Sequence, residues 1–150
     1  MERNVKIRTA KETDFNTIYS FVNELEEVVF EIKNQKNAFE LNIKNQDCIY
    51  LIAELNDKSI GFLSCHSQYL LHHGGQRIAE IQEMYINPEN RKTGVGKKMI
   101  EELKRIVKQK EIAQLEVTSN NIRADTHRFY ERENFVQTHK KFTLKIERDN

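Results

Sequence analysis

The segment Arg91-Lys92-Thr93-Gly94-Val95-Gly96 joins two basic residues to two closely spaced glycines. It leads into an amphipathic stretch carrying Val95, Met99, Ile100, Leu103, Ile106 and Val107. Glycines let a ligand approach the backbone, and a helix start exposes N–H groups with no intrahelical acceptor, so such a turn is suited to phosphate. Lys97 and Lys98 add positive charge. The spacing is neither that of a P-loop, GxxxxGK[ST], nor the dinucleotide fingerprint GxGxxG. Upstream, the strand-like run Ile78 to Ile86 carries two carboxylates, Glu80 and Glu83. In a regular strand Glu80, Gln82 and Met84 face one way and Ile81, Glu83 and Tyr85 the other, so one glutamate at most points at a given site unless a bulge changes the parity.

The elements around the turn are read from periodicity. Val5 and Ile7 alternate with charges in a first strand, and Thr9 with Glu12 is placed as a capping box. A helix follows with Phe15, Ile18, Phe21, Val22, Leu25, Val28 and Val29 on one face, and a weaker helical piece holds Phe39, Leu41 and Ile43. Cys48 to Leu55 is a continuous apolar run, the pattern of a buried strand. Asn56-Asp57-Lys58 turns it into Ile60 to Leu71, and Gly74-Gly75 turns again into Ile78 to Ile86. The strand Ala113 to Thr118 follows the amphipathic helix and is predicted parallel to its predecessor. A last helix spans Asn121 to Glu133, and Val136, Phe142, Leu144 and Ile146 suggest one or two closing strands.

The 150 residues are economically one domain, 1–150. Lys and Arg (24) nearly balance Asp and Glu (23), which disfavours nucleic-acid binding. Cys48 and Cys65 lack the spacing of a disulfide framework or zinc motif and read as buried thiols. No apolar run is long enough to cross a bilayer and the N-terminus lacks an apolar signal core, so a cytoplasmic protein with no membrane partner is expected.

The order of these parts resembles the GCN5-related N-acetyltransferase (GNAT) family, whose coenzyme A loop follows [RQ]xxGx[GA]; Arg91 to Gly96 fits it. Asn120-Asn121 followed by Arg128-Phe129-Tyr130-Glu131-Arg132-Glu133-Asn134-Phe135 resembles the family's second element, with Asn134 where glycine is usual. Leu71-His72-His73, Ala79-Glu80-Ile81-Gln82-Glu83, His127-Arg128-Phe129-Tyr130 and Thr138-His139 are similar to aminoalkylphosphonate N-acetyltransferases within that family. The resemblance implies a mixed α/β fold: a central, mostly antiparallel sheet flanked by helices, in the order β-α-α-β-β-β-α-β-α-β.

It further implies direct attack of a primary amine on acetyl-CoA. Glu80, by its family position, is the leading general base, with Glu83 its rival, and Tyr130 is the acid for the leaving thiolate. Tyr85, Ile86, Arg91, Lys92, Thr93, Gly94, Val95, Gly96, Lys97, Asn120 and Asn121 are the expected coenzyme contacts. His72, His73 and Arg128 either line the acceptor site or stand as ordinary surface residues. The favoured acceptor is an aminoalkylphosphonate, with a bridging divalent metal conceivable; polyamines or other small amines are the alternative. A non-catalytic coenzyme A-binding module is the reading from a different class. A homodimer is compatible with the resemblance.

Overall fold

The computed structural model describes residues 4–121 and 123–148. They fall in two compact units, Met1–Val117 and Thr118–Asn150. The first unit holds β1 (Val5–Thr9), α1 (Phe15–Glu26), α2 (Ile32–Ile43), β2 (Cys48–Leu55), β3 (Lys58–Tyr69), β4 (Arg77–Ile86), α3 (Val95–Gln109) and β5 (Gln114–Val117). Its sheet has the order β1-β2-β3-β4-β5, antiparallel except for the β4–β5 pair, which is parallel as a helical crossover requires.

Local chemistry explains the turns. Asn56 and Asp57 both adopt positive φ, 52° and 64°, the backbone of a tight hairpin turn for which these side chains are suited. β2 reads as unbroken apolar sequence because both sheet faces are covered. On one face Tyr50, Ile52, Phe62 and Tyr85 pack with Phe15, Ile18 and Phe21 of α1 and Phe39 of α2. Val95, Met99, Ile100, Leu103 and Val107 are the buried stripe of α3, whose Met99 sulfur approaches Gly61 on the opposite face.

Several expectations need correction. Thr9 ends β1 instead of capping a helix. Asp14 supplies the local anchor, accepting the Lys11 N–H at 2.7 Å and a bidentate pair from Arg8 at 2.8 and 2.9 Å. Arg8 also meets Glu54 at 3.1 Å, tying the start of α1 to β1 and β2. α1 stops at Glu26, with Glu27 left-handed at φ 56°, so Val28 and Val29 leave the apolar face and are exposed. Leu41 of α2 also points to solvent, leaving Phe39 as that helix's buried anchor.

The Arg8 guanidinium holds the Asp14 carboxyl below its ordinary value. A depressed folded-state pKa contributes stability above the unfolded value and loses it as pH falls through the folded one. Asp14→Asn is therefore expected to cost about 2 kcal/mol at pH 7, a loss that shrinks on acidification, read by urea denaturation at pH 7 and pH 3.

In the second unit, α4 (Ala124–Arg132) ends in a Schellman motif. The N–H of Asn134 reaches Glu131 O at 3.0 Å and that of Phe135 reaches Tyr130 O at 2.9 Å, with Asn134 at φ 71°. Asparagine thus takes the left-handed position expected of it. The closing strands are not formed among the described residues: 135–148 has no regular secondary structure. Val136, Phe142, Leu144 and Ile146 are all exposed. Their alternation lacks the partner ladder that a strand needs.

Candidate active site

The central feature of the first unit is a break in β4. Ser64 pairs with Glu83 but its successor Cys65 pairs with Ile81, so Gln82 is an extra residue and β4 bulges there. One inserted residue reverses the parity expected of a regular strand. Glu80, opposite His66, and Glu83, opposite Ser64, are two pairing steps apart and come to one face, that of α1 and α2. The bulge is the exception allowed for in the sequence reading, and with it the regular-strand parity that would separate the two glutamates does not hold.

Glu83 is held in place. The Ser64 hydroxyl donates to its Oε1 at 2.6 Å, and the Glu83 N–H donates back to Ser64 Oγ at 3.1 Å. Ser64 is fully buried, so the pair is fixed at its β3 end. Glu83 borders a cavity of about 380 Å³ between α1, α2 and the sheet, with the rings of Phe15, Tyr19, Phe30, Phe39, Tyr50 and Phe62 on its walls. Gln35, Asn42 and Glu26 supply its other polar groups. Burial pushes the Tyr50 phenol up to about 12; the Asn42 amide, donating to Tyr50 Oη at 2.9 Å, opposes the rise and Glu83 adds to it.

Glu80 does not border this cavity. It registers between His66 on β3 and Glu116 on β5. His66 in turn lies 3.5 Å from the Cys48 sulfur. Burial raises the Cys48 thiol, and Cys65 is pushed up to about 12, so neither is a thiolate nucleophile at neutral pH.

Beyond the bulge, β4 continues after β5 has ended: Ile81 pairs with Val117, the last β5 residue, and residues 82–86 extend past it. The Asn87 N–H bonds Ile60 O at 2.8 Å, so the Gly61–Ile86 pair exchanges no bonds and Ile86 directs its N–H and C=O away from β3. The C=O is taken by Arg91 Nε at 2.8 Å. The N–H faces the gap left by β5.

Tyr85, expected as a coenzyme contact, has its side chain in the core. Its ring stacks on Phe21 at 4.9 Å and its hydroxyl donates to Glu24. Its backbone N–H and C=O face Phe62 in the hydrogen-bonded pair next to Gly61–Ile86, so Tyr85 offers a ligand neither its ring nor its backbone polar groups.

Residues 91–96 form a tight turn into α3. Pro88–Asn90 forms a short 3-10 turn, Lys92 and Gly94 take positive φ of 60° and 90°, and α3 starts at Val95. Thr93 Oγ1 donates to Asn90 O, closing the turn on itself, so Thr93 serves the loop's shape. The Arg91 guanidinium lies over the Tyr85 ring at 5.7 Å, which leaves its terminal nitrogens for an anion. The N–H groups of Val95, Gly96 and Lys97 open α3 without an intrahelical acceptor. Arg91→Ala removes both the charge and the bond to Ile86, and is expected to raise KM for acetyl-CoA about tenfold or more in steady-state kinetics. Arg91→Lys should restore only part of the loss.

His72 and His73 sit in a short 3-10 turn at the β3–β4 tip, with rings 4.6 Å apart. The Tyr69–Arg77 pair that carries this tip is five pairs beyond Ser64–Glu83, about 17 Å along the strand. They are hairpin-tip residues, away from the cavity. No group of three or more His, Cys, Asp or Glu among the described residues is arranged to hold a metal ion.

In the second unit, Tyr130 is buried, with ring centroids of Phe129 at 5.2 Å and Phe135 at 5.4 Å. Burial pushes its phenol up to about 12, with Arg123 opposing, so it keeps its proton at neutral pH. Asn120 O accepts from the Arg123 N–H at 3.0 Å and lies 2.8 Å from His127 Nε2. Asn121 is exposed in the turn before α4. Arg128 is exposed and paired with Asp125 one helical turn earlier.

Sequence reading missed Ser64 and His66, whose only signal was their position in a strand that pairs with the two glutamates.

The profile of the Acetyltransferase (GNAT) family matches residues 15–135. An aminoalkylphosphonate N-acetyltransferase of Salmonella typhimurium is 30% identical over 138 residues, which is 92% of this chain and 89% of that protein. A transcriptional regulator from Bacillus halodurans has a similar solved structure: TM-score 0.87, 20% identity, covering 95% of this chain and all of that one. A CoA-bound aminoglycoside N-acetyltransferase superimposes with TM-score 0.86 at 14% identity, covering 97% of each chain. The chain belongs to the GNAT family, which uses acetyl-CoA, and is an N-acetyltransferase. No helix among the described residues is long and apolar enough to cross a membrane.

Proposed function

We propose that the chain transfers the acetyl group of acetyl-CoA directly to the primary amine of a small molecule, with Glu83 as the general base. The observation that supports this most is the placement of Glu83, fixed by Ser64 at an aromatic-walled cavity, three residues before the outward-facing N–H of Ile86 on the same strand. A primary amine with an ordinary pKa near 10 is mostly ammonium at neutral pH. The free oxygen of Glu83 takes a proton from it, directly or through a water, and the amine nitrogen then attacks the thioester carbon. The N–C bond forms, the nitrogen sheds its second proton to water, and the C–S bond breaks, giving the neutral amide and the coenzyme A thiolate.

The Ile86 N–H stabilises the carbonyl oxygen as charge develops on it. Tyr130, whose proton burial retains, supplies it to the departing sulfur. Arg91, Lys92 and the N–H groups of Gly94, Val95, Gly96 and Lys97 hold the pyrophosphate, and Asn120 or Asn121 bonds the pantetheine arm. Glu80 is placed as a neighbour of His66 in this reading and is not the base.

Two observations bear on the acceptor. The Salmonella relative's name and the short matches around His72, Glu80 and Tyr130 favour an aminoalkylphosphonate. The walls of the cavity, aromatic and carrying carboxylates, favour a different chemistry.

The function is tested by incubating the protein with acetyl-CoA and a panel of aminoethylphosphonate, alkyl diamines, amino sugars and peptides, following thiol release with and without chelator. Turnover of a small amine is expected. A protein whose melting temperature rises with acetyl-CoA but which turns over nothing would be a coenzyme A-binding module instead.

A further inference from the structure

Resting on the acetyltransferase reading above, we infer that the acceptor carries a second positive charge: it is an alkyl diamine or polyamine, and not an amine attached to an anionic group. The cavity beside Glu83 has two carboxylates, Glu83 within and the exposed Glu26 at its rim, and no Lys or Arg on its walls among the described residues. Its remaining polar groups are neutral. A phosphonate placed there would lose water and gain no cation, beside carboxylates of its own sign.

The same walls suit a cation. Aromatic faces attract an ammonium, and a methylene chain fits against them. α1 and the loop after it, residues 15–31, hold Glu24, Glu26, Glu27 and Glu31 and no Lys or Arg, while α2 brings Lys33 and Lys36 outside the cavity lining. The carboxylates of that loop stand beside Glu26 in sequence and add to its preference for a cationic acceptor over a phosphonate.

The two carboxylates divide the work. Glu83 is taken up by the reacting amine, so it cannot also balance a charge at the other end of the acceptor. Glu26 remains for a distal ammonium. Next to the rim, a shallower groove of about 500 Å³ shares Tyr19 and continues past Glu24 and Glu27, offering further carboxylates to a longer polyamine.

The test compares putrescine, n-butylamine and 2-aminoethylphosphonate as acceptors for the full chain at saturating acetyl-CoA. The expected order of kcat/KM places putrescine about tenfold or more above butylamine, and the phosphonate lowest. Glu26→Gln should reduce the putrescine-to-butylamine ratio about fivefold through KM, and Glu26→Lys should reduce it further; Glu26 is exposed, so both variants should fold. A phosphonate preferred over putrescine, or a ratio unmoved by both Glu26 variants, overturns the inference while leaving the acetyltransferase reading intact. Failure to acetylate any amine in the wider panel overturns both.

Discussion

Glu83→Gln is expected to lower kcat by about 10² to 10³, with KM for acetyl-CoA nearly unchanged. The amide keeps the size of the side chain and can still accept the Ser64 hydroxyl proton, so the link that fixes it to β3 survives. It cannot accept a proton from an ammonium. The loss should therefore appear in the chemical step, and raising the pH should recover part of it, because more of the acceptor is then already a free amine. Glu80→Gln is the internal comparison and should cost less than about tenfold, since Glu80 lies outside the cavity. Steady-state kinetics from pH 6 to pH 10 on both variants decides the matter. A larger loss from Glu80→Gln would return the base to the residue that the family position favours.

This contrast shows what the sequence could carry and what it could not. That residues 91–96 turn the chain into a helix was legible because the signals are local: Gly94 where a positive φ is needed and a helix stripe immediately after. Asn134 was legible for the same reason, as a residue that tolerates the left-handed turn closing α4. The apolar run Cys48–Leu55 gave a strand with the same bounds. The bulge at Gln82 was not legible, because it is a property of the pairing between β3 and β4, and nothing in residues 78–86 marks which residue goes unpaired. Its consequence, two glutamates on one face, could not be known before the register.

The end of α1 failed for a related reason. Glu27 takes a left-handed φ without glycine or proline to announce it, so Val28 and Val29 continue the helical spacing after the helix has stopped. In the second unit, the alternation of Phe142, Leu144 and Ile146 has strand period but no partner among the described residues. Period 2 is a preference for a half-buried surface, and it forms a strand only when a neighbour supplies the ladder. Tyr85 shows the complement: its place in the chain beside Ile86 was foreseen, while the core position of its ring depends on Phe21 and Glu24, some sixty residues earlier.

The Ile86 N–H cannot be removed by side-chain substitution, but Gly61 gives a handle on it. A Cβ built on Gly61 would stand 2.9 Å from the carbonyl oxygen of Tyr85, a backbone atom that cannot swing aside as a side chain would. That C=O and the Ile86 N–H belong to one planar peptide unit, so pushing the oxygen tilts the N–H that faces the gap beyond β5. Gly61→Ala is therefore expected to lower kcat about 10- to 100-fold, a misplacement effect, along with some loss of stability. Val107→Ala, which opens a cavity at the far end of α3, separates the two effects: it should lower the melting temperature comparably and leave kcat within about twofold. If both variants lose activity in proportion to their melting temperatures, the loss is general loosening of the sheet and the Ile86 peptide has no special role. If only Gly61→Ala loses kcat, while its affinity for coenzyme A itself is preserved by calorimetry, the orientation of that single peptide limits the reaction.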